Sequence, residues 1–196
     1  MAMGMTSNHP NEIRAVFDDV MVRVYQAYND EIADSALKNG TFVSPPFKMN
    51  RMTWIKPSFL WMMYRCGWGL KDINQRRILA VDMSRDGFDW ALSHSCPTLR
   101  KMTTYNEEPL TLEKNFPVRI QWDPERDVLL RKLSYRTIQI GLSEIATNLY
   151  VDKWIFKIEE ITTLARTIHK LTLNNNLEEA ESLLPQEMIY PLSFRL

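Results

Sequence analysis

Residues 51–68 read RMTWIKPSFLWMMYRCGW, and this segment combines the signals of a short helix with those of a binding surface. Pro57 suits the first turn of a helix, where its missing N–H is not needed, and Gly67 suits the residue after the last turn. The spacing predicts a helix from about Pro57 to Cys66. Its apolar stripe, with spacing i, i+3, i+4 and i+7 that favours burial, consists of Phe59, Met62, Met63 and Cys66.

The other side chains of this segment form a candidate ligand site. Unpaired N–H groups and the helix dipole at a helix N-terminus favour an anion such as a phosphate, and cationic and hydroxyl side chains precede the helix. The alternative is structural, with the aromatic residues in the core and the cations solvated or paired with surface carboxylates. The candidate site residues here are Arg51, Thr53, Trp54, Lys56, Ser58, Trp61, Tyr64 and Arg65.

Length and composition set the broad class. At 196 residues the chain is long enough for one domain with its own core, which we assign to residues 13–196 after a flexible N-terminus at residues 1–12. Lys plus Arg and Asp plus Glu both number 24, so the composition does not indicate a strongly basic nucleic-acid binder. Two cysteines and no secretory signal favour the cytoplasm. Every apolar run is too short to span a bilayer.

In the first half of the chain, a strand and a helix are predicted before the segment at 51–68, and another strand and helix after it. Residues 21–28 alternate, with Gln26 and Tyr28 on one face and Arg23 on the other. These three polar side chains are candidates for a cleft, although Arg23 would also suit the solvent side of an edge strand. Asn29 caps a helix that ends before a glycine. A buried strand at residues 77–83 and a helix capped by Ser84 follow.

The second half predicts β structure followed by helices. Residues 95–117 read as a long loop, and the alternation at 118–122 indicates a strand that ends in a turn at 123–127 and continues as a hairpin. Residues 135–142 predict another strand. Residues 144–171 predict two helices, with Asp152 as the cap of the second. A last short helix follows, and an apolar tail docks on the body. The predicted fold is α+β, a single domain with small mixed or antiparallel sheets forming a cleft and a helical C-terminal part.

Several well-known site chemistries lack support in this sequence. The three histidines are far apart and none has the spacing of a metal ligand with cysteine, so we predict no metal site. No P-loop, GxGxxG or GxSxG motif is present. Asp123, Glu125 and Asp127 cluster in the predicted turn, where one of them would act as a general base or orient a ribose. A solvated turn paired with its own arginine is the alternative.

Four strings carry a resemblance to a known family, and they extend over most of the chain from about Ile13 to Leu192. The sequence resembles the domain of unknown function 4291 family, which names no activity. The strings are RVYQAYNDEIADSAL, RMTWIKPSFLWMMYRCGWG, PVRIQWDPERD and YRTIQIGLS.

A fainter similarity concerns function. The order strand, capped helix, glycine and polar-aromatic segment is similar to the N-terminal half of ADP-ribosyltransferase-like domains. That resemblance implies that Arg23 or Gln26 holds NAD and that Gln139 takes a late-strand position usually held by Glu, with Glu125 as the other candidate catalytic residue. The nicotinamide and phosphate end would be lined by Thr53, Lys56, Ser58 and Tyr64.

Three functional hypotheses follow. The first is an enzyme that binds NAD or a related nucleotide and transfers ADP-ribose to an unknown acceptor, possible acceptors including nucleic acid. Its cleft would be formed by residues 23–28, 51–65 and 136–139, with Arg136 among the phosphate-binding cations. The second is a non-catalytic single-stranded nucleic-acid-binding or RNA-processing module that uses the same Arg, Trp and Tyr side chains. A plain interaction domain is the third possibility.

Overall fold

The fold is α+β, as predicted, and is described here from a computed structural model for residues 11–97 and 116–192. Two larger open sheets and one two-stranded ribbon carry the helices. The strands are β1 Arg14–Ala15, β2 Met21–Tyr28, β3 Thr53–Ile55, β4 Arg77–Ser84, β5 Ser95–Pro97, β6 Val118–Arg126, β7 Lys132–Leu142, β8 Ile155–Glu160 and β9 Met188–Ile189. The α-helices are α1 Asp30–Asn39, α2 Phe59–Cys66, α3 Arg85–Ser93, α4 Ile145–Leu149, α5 Thr162–Leu173 and α6 Leu177–Ser182.

The two larger sheets have the strand orders β2-β4-β8 and β3-β7-β6-β5. All neighbours within them are antiparallel except β5 and β6. One apolar core includes residues from both sheets together with α1 and α3, and a second core joins α2, α5 and α6 to β2 and β4. The first sheet therefore has apolar residues packed on both faces.

The local signals for the first half of the chain are confirmed. The β2 strand has the predicted bounds, and α1 begins after Asn29, whose side chain accepts a hydrogen bond from the N–H of Ile32. Gly40 follows α1 in the left-handed conformation (φ 70°). The α3 helix begins after Ser84 as predicted. These elements match the prediction because caps and periodicity act within a few residues.

The predicted second C-terminal helix was wrong at its beginning. Residues 155–160 form the edge strand β8, which pairs with β4. The three-residue spacing of Ile155 and Ile158 imitates a helix, but it arises from a β-bulge: Val81 lies opposite Ile158, whereas Met83 lies opposite Ile155, so one residue of β8 is skipped. Asp152 lies in a π-helical turn and caps no helix.

The predicted turn at residues 123–127 was also wrong. The β6 strand continues through Pro124 to Arg126, with an irregularity in the ladder between these two residues, and the turn follows at 127–131. Proline is tolerated there because a bulge does not require its missing N–H. The side chain of Asp127 accepts hydrogen bonds from the backbone N–H groups of Leu129 and Arg131 and so organises the turn.

Both ends of the described chain are held by strand pairing. The N–H of Glu12 donates to the carbonyl of Arg136 at 2.9 Å, so ordered structure begins before residue 13, and residues 1–10 of the predicted flexible segment lie outside the described part. The C-terminal tail docks as predicted, with β9 paired to β1 and Tyr190 buried.

Candidate functional site

The polar face of the second sheet brings together two of the predicted site residues, Lys56 and Gln139. The pairs Val118–Leu142 and Ile120–Ile140 point into the core. Side chains alternate across a strand, so the pair Gln121–Gln139 points to the opposite face. We call this face, together with Lys56 after β3, the polar band. Its members are Lys56, Arg119, Gln121, Asp123, Thr137, Gln139 and Gly141.

Lys56 is a buried cation with little compensation. Its side chain is 7% exposed, and Nζ donates to the carbonyl of Trp54 at 3.5 Å, a long and weak hydrogen bond. Burial and the neighbouring charge of Arg65 lower the pKa of Lys56 to about 8, while Asp123 opposes this shift. An anionic group bound beside Nζ would stabilise the charged amine.

A carboxylate and two amides lie side by side on the same face of the sheet. Nε2 of Gln139 donates to Oδ2 of Asp123 at 2.7 Å and to Oε1 of Gln121 at 3.0 Å. Both amide hydrogens of Gln139 are therefore used in hydrogen bonds to neighbouring side chains of β6. The arrangement fixes a carboxylate and an amide carbonyl where hydroxyl groups of a ligand can be bound.

Buried N–H groups without a hydrogen-bond partner lie on the band, on α2 and at the end of β6. In the described part of the chain they include Nε1 of Trp61, Nε of Arg119 and Nε of Arg126. Leaving a buried donor unpaired costs about 1–3 kcal/mol. Such unpaired donors are consistent with a surface that a ligand with acceptor oxygens would complete.

The N-terminus of α2 does not offer the anion site that the sequence predicts. The helix begins at Phe59, after Ser58 rather than at Pro57, and the Ser58 hydroxyl accepts from the N–H of Trp61 at 3.1 Å. Oε1 of Glu187 accepts from the N–H of Phe59 at 2.7 Å. The chain's own carboxyl group therefore takes the place expected for a phosphate.

Glu125, one of the two predicted catalytic residues, lies at this helix end. It is 3% exposed, and its Oε1 accepts hydrogen bonds from the Ser58 hydroxyl at 2.9 Å and from the N–H of Arg126 at 2.8 Å. Burial raises the pKa of its carboxyl group. Glu125 is therefore not part of a solvated turn. A pocket of about 260 Å³ has Ser58, Glu125 and Glu187 in its lining.

The predicted aromatic residues of α2 hold an arginine. The guanidinium of Arg126 lies 3.6 Å from the ring centroid of Tyr64 and 5.5 Å from that of Trp61, a cation–π geometry. Trp61 is 4% exposed, so it is buried, as the structural alternative for the aromatic residues of this segment has it. Tyr64 is 40% exposed and Arg65 is exposed at the surface.

Three predicted residues form an internal network instead of lining a groove. Nε2 of Gln26 donates to Thr53 Oγ1 and Tyr28 OH, both at 2.9 Å, and Oε1 of Gln26 accepts from Tyr150 OH at 2.8 Å. These polar groups satisfy one another next to the apolar core. These hydrogen bonds join β2 to β3 through Thr53 and to the end of α4 through Tyr150.

The remaining predicted cations do not converge on the band. Arg23 donates to both carboxylate oxygens of Asp82, at 2.7 and 2.9 Å, on the first sheet. Arg136 donates to the carbonyl of Trp122 at 2.9 Å. Arg51 is exposed. The predicted three-segment cleft is therefore corrected to a narrower site, because Arg23 is paired across β2 and β4 and Arg136 is paired across β6 and β7.

A comparison with protein-family models gives a match that covers most of the chain. The family model described as "Domain of unknown function (DUF4291)" matches residues 12–190. The chain belongs to this family. The match includes every residue of the polar band and the α2 segment. A comparison with curated proteins finds no match.

The described residues of this DUF4291 domain contain neither a metal-ligand cluster nor a helix that could span a membrane. Among residues 11–97 and 116–192, no group of three or more His, Cys, Asp or Glu side chains is arranged to hold a metal ion. Within the same residues, no helix combines the length and hydropathy needed to cross a bilayer.

Sequence reasoning missed several residues that contribute to the site of the DUF4291 domain. Arg119 reads from the sequence as one face of an alternating strand, and Glu187 lies in a proline-bounded tail, so neither has a local signal of function. Asp123 is one of three carboxylates predicted to supply a general base or a ribose contact, but the sequence places it in a turn, whereas in the structure it lies on one face of β6. Its position two residues after Gln121 on an extended strand was the available signal, since i and i+2 share a face.

Gly141→Ala is expected to destabilise the DUF4291 domain by about 1–3 kcal/mol, because the added methyl group overpacks the band. A Cβ at this position would lie 2.7 Å from Met52 Sδ and 3.0 Å from Trp54 Cζ2. Urea unfolding of Gly141→Ala, Met52→Ala and the double variant measures the effect. The substitution should cost less in the Met52→Ala background, and equal costs in both would contradict the packing explanation.

Proposed function

We propose that this DUF4291 domain is a nucleotide-binding enzyme of the ADP-ribosyltransferase-like type, with NAD as its nucleotide and the polar band as its site. The observation that carries the proposal is the buried amine of Lys56, which has one weak hydrogen bond and lies beside Arg65 and the Asp123–Gln139 pair. A diphosphate would supply the negative charge and acceptor oxygens that this group lacks.

The chemistry assigned to the band is glycosyl transfer. The bond between ribose C1′ and nicotinamide breaks, the electron pair leaves with nicotinamide, and an acceptor nucleophile forms the new bond to C1′ and loses its proton. The carboxylate of Asp123 would stabilise the positive charge that develops on the ribose. Gln139 holds that carboxylate in position and would bind a ribose hydroxyl. Glu125, with its raised pKa, is the candidate for accepting the proton of the acceptor.

Calorimetry with NAD tests the nucleotide part of the proposal. The wild-type domain should bind NAD with a micromolar Kd, and Lys56→Met should weaken binding at least about tenfold because it removes the buried cation. Lys157→Met is the matched control, since Lys157 is 60% exposed on β8. Equal NAD affinity in the wild type and Lys56→Met would overturn the assignment of the band.

Release of nicotinamide tests the catalytic part. Asp123→Asn keeps the size of the side chain and removes its charge, so the rate of nicotinamide release should fall about 100-fold or more while NAD affinity changes little. A rate unchanged in Asp123→Asn would contradict the role of this carboxylate.

The same titrations distinguish the alternative function. Salt-dependent binding of a short single-stranded RNA, with no heat on addition of NAD, would favour a non-catalytic nucleic-acid module that uses Tyr64 and Arg65. A cytoplasmic location, where Cys66 stays reduced, is part of the proposal.

A further inference from the structure

A pocket beside the N-terminus of α2 is lined by both polar and apolar residues, and its volume is about 260 Å³. The apolar part is formed by Leu60, Leu184 and Pro185. Residues 184–187 therefore form the pocket together with the start of α2. Apolar walls of this kind bury the faces of a flat ligand, while a few polar groups fix its edge.

Three glutamates line the pocket, and two of them, Glu125 and Glu187, are each held through one carboxyl oxygen. Oε1 of Glu125 accepts from Ser58 and from the N–H of Arg126, and Oε1 of Glu187 accepts from the N–H of Phe59. Glu125 is 3% exposed. Burial raises the pKa of both carboxyl groups. Additional N–H donors from a ligand would compensate for the lost solvation of these groups.

A donor lies next to these acceptors. Arg126 lines the same pocket and is 7% exposed. Its Nη1 donates to the carbonyl of Leu130 at 3.3 Å, whereas its Nε has no hydrogen-bond partner in the described part of the chain. The cation–π contact with Tyr64 holds the guanidinium in place. The pocket therefore combines fixed carboxyl acceptors with a buried, incompletely paired donor.

We propose that this pocket binds a nucleobase that presents a lactam edge, of which guanine is the example. The N1–H and the exocyclic amine of guanine would donate to the carboxylates of Glu125 and Glu187, with Glu187 releasing its proton to solvent on binding, and O6 would accept from Arg126. The apolar walls would pack against the faces of the ring. Adenine presents an acceptor at N1 and an amine in place of O6, so its edge opposes the pattern of the pocket.

The inference goes beyond the proposed function, because it requires neither NAD nor catalysis. Guanosine, which has no phosphate, is the probe, and it is titrated in the absence of NAD. The expected result is saturable binding with a Kd below about 1 mM and at least about tenfold weaker binding of adenosine and of 1-methylguanosine. A failure of the NAD titration would leave this result unaffected.

Variants test the assignment of the polar edge. Glu125→Gln and Arg126→Met should each weaken guanosine binding at least about tenfold, while Glu178→Gln, an exposed α6 residue outside the pocket lining, should not change it. Circular dichroism and Tm establish that each variant is folded. If a variant unfolds, the nucleoside series on the wild type decides. Equal affinity for guanosine and adenosine, or no saturation with guanosine, would overturn the proposal.

Discussion

Lys56→Met is expected to raise the free energy of unfolding at pH 7 by about 3 kcal/mol. The pKa of Lys56 is about 8 in the folded chain, against 10.5 for an ordinary lysine, and each pH unit of difference corresponds to 1.36 kcal/mol. The cause is burial of the charge with one weak hydrogen bond. Methionine fills similar space with no charge, so the variant avoids this cost.

The sign of the pH dependence follows from proton binding. Between pH 8 and 10.5 the unfolded chain keeps a proton on Lys56 that the folded chain has lost, so the stability of the wild type rises with pH in this window. Below pH 8 the cost is fully present. The advantage of Lys56→Met should therefore shrink as pH rises from 8 to 10.5.

Urea unfolding at pH 7 and pH 10 measures the effect as the difference between variant and wild type. The exposed Lys157→Met serves as control and should show a constant difference between these two pH values. A constant difference for Lys56→Met as well would mean that the amine is solvated in the folded chain, which would also remove the main support for an anion site at this position.

Glu187→Gln is expected to stabilise the chain by about 2–3 kcal/mol at pH 8 and to have almost no effect at pH 4.5. Burial raises the pKa of Glu187 from 4.5 to about 8, with a smaller contribution from the charge of Glu125, while the Phe59 N–H and Arg14 act in the opposite direction. The full difference would amount to about 5 kcal/mol, and we expect less because the side chain keeps partial contact with solvent.

The ionisation of Glu187 makes stability fall with rising pH, which is the opposite of the effect of Lys56. The folded chain holds a proton on Glu187 that the unfolded chain has released between pH 4.5 and 8, so this stability is fully present below pH 4.5 and is lost as pH rises to 8. Glutamine stays neutral and can still accept from the N–H of Phe59. The unfolding free energy of Glu187→Gln should therefore decline less than that of the wild type between pH 4.5 and pH 8.

Unfolding curves at pH 4.5, 6.5 and 8 for the wild type, Glu187→Gln and Glu178→Gln check this prediction. Glu178 is exposed on α6, so its variant should follow the wild type. Parallel profiles for Glu187→Gln and the wild type would show that Glu187 ionises in the folded chain as an ordinary glutamate does.

The prediction from sequence was accurate where a structural feature depends on neighbouring residues. The bounds of β2, the Asn29 cap of α1 and the buried stripe of α2 all follow from patterns within a few positions. The prediction was wrong at β8, because a bulge opposite β4 gives a strand the spacing of a helix. It also placed the turn after β6 too early, at a proline that the strand accommodates.

The candidate site was predicted only in part, because its contacts join residues that are far apart in the sequence. Lys56 and Gln139 were identified, and they do lie on one face of the structure. Arg23 was assigned to the same site, but it pairs with Asp82, which is 59 residues away in the chain. Glu187 reaches the N-terminus of α2 from 128 residues away. No spacing in the sequence reports such distant pairings.

The sequence by itself determined the family, the α+β class and the helices and strands whose caps and periodicity lie within one segment. The tertiary structure decided which charged groups meet: it buried Lys56 near Asp123, placed Glu125 against Ser58 and filled the α2 N-terminus with Glu187. The physical reason is range. Backbone preferences act over a few residues, whereas the desolvation and pairing of charges depend on sheet register and on packing between distant segments.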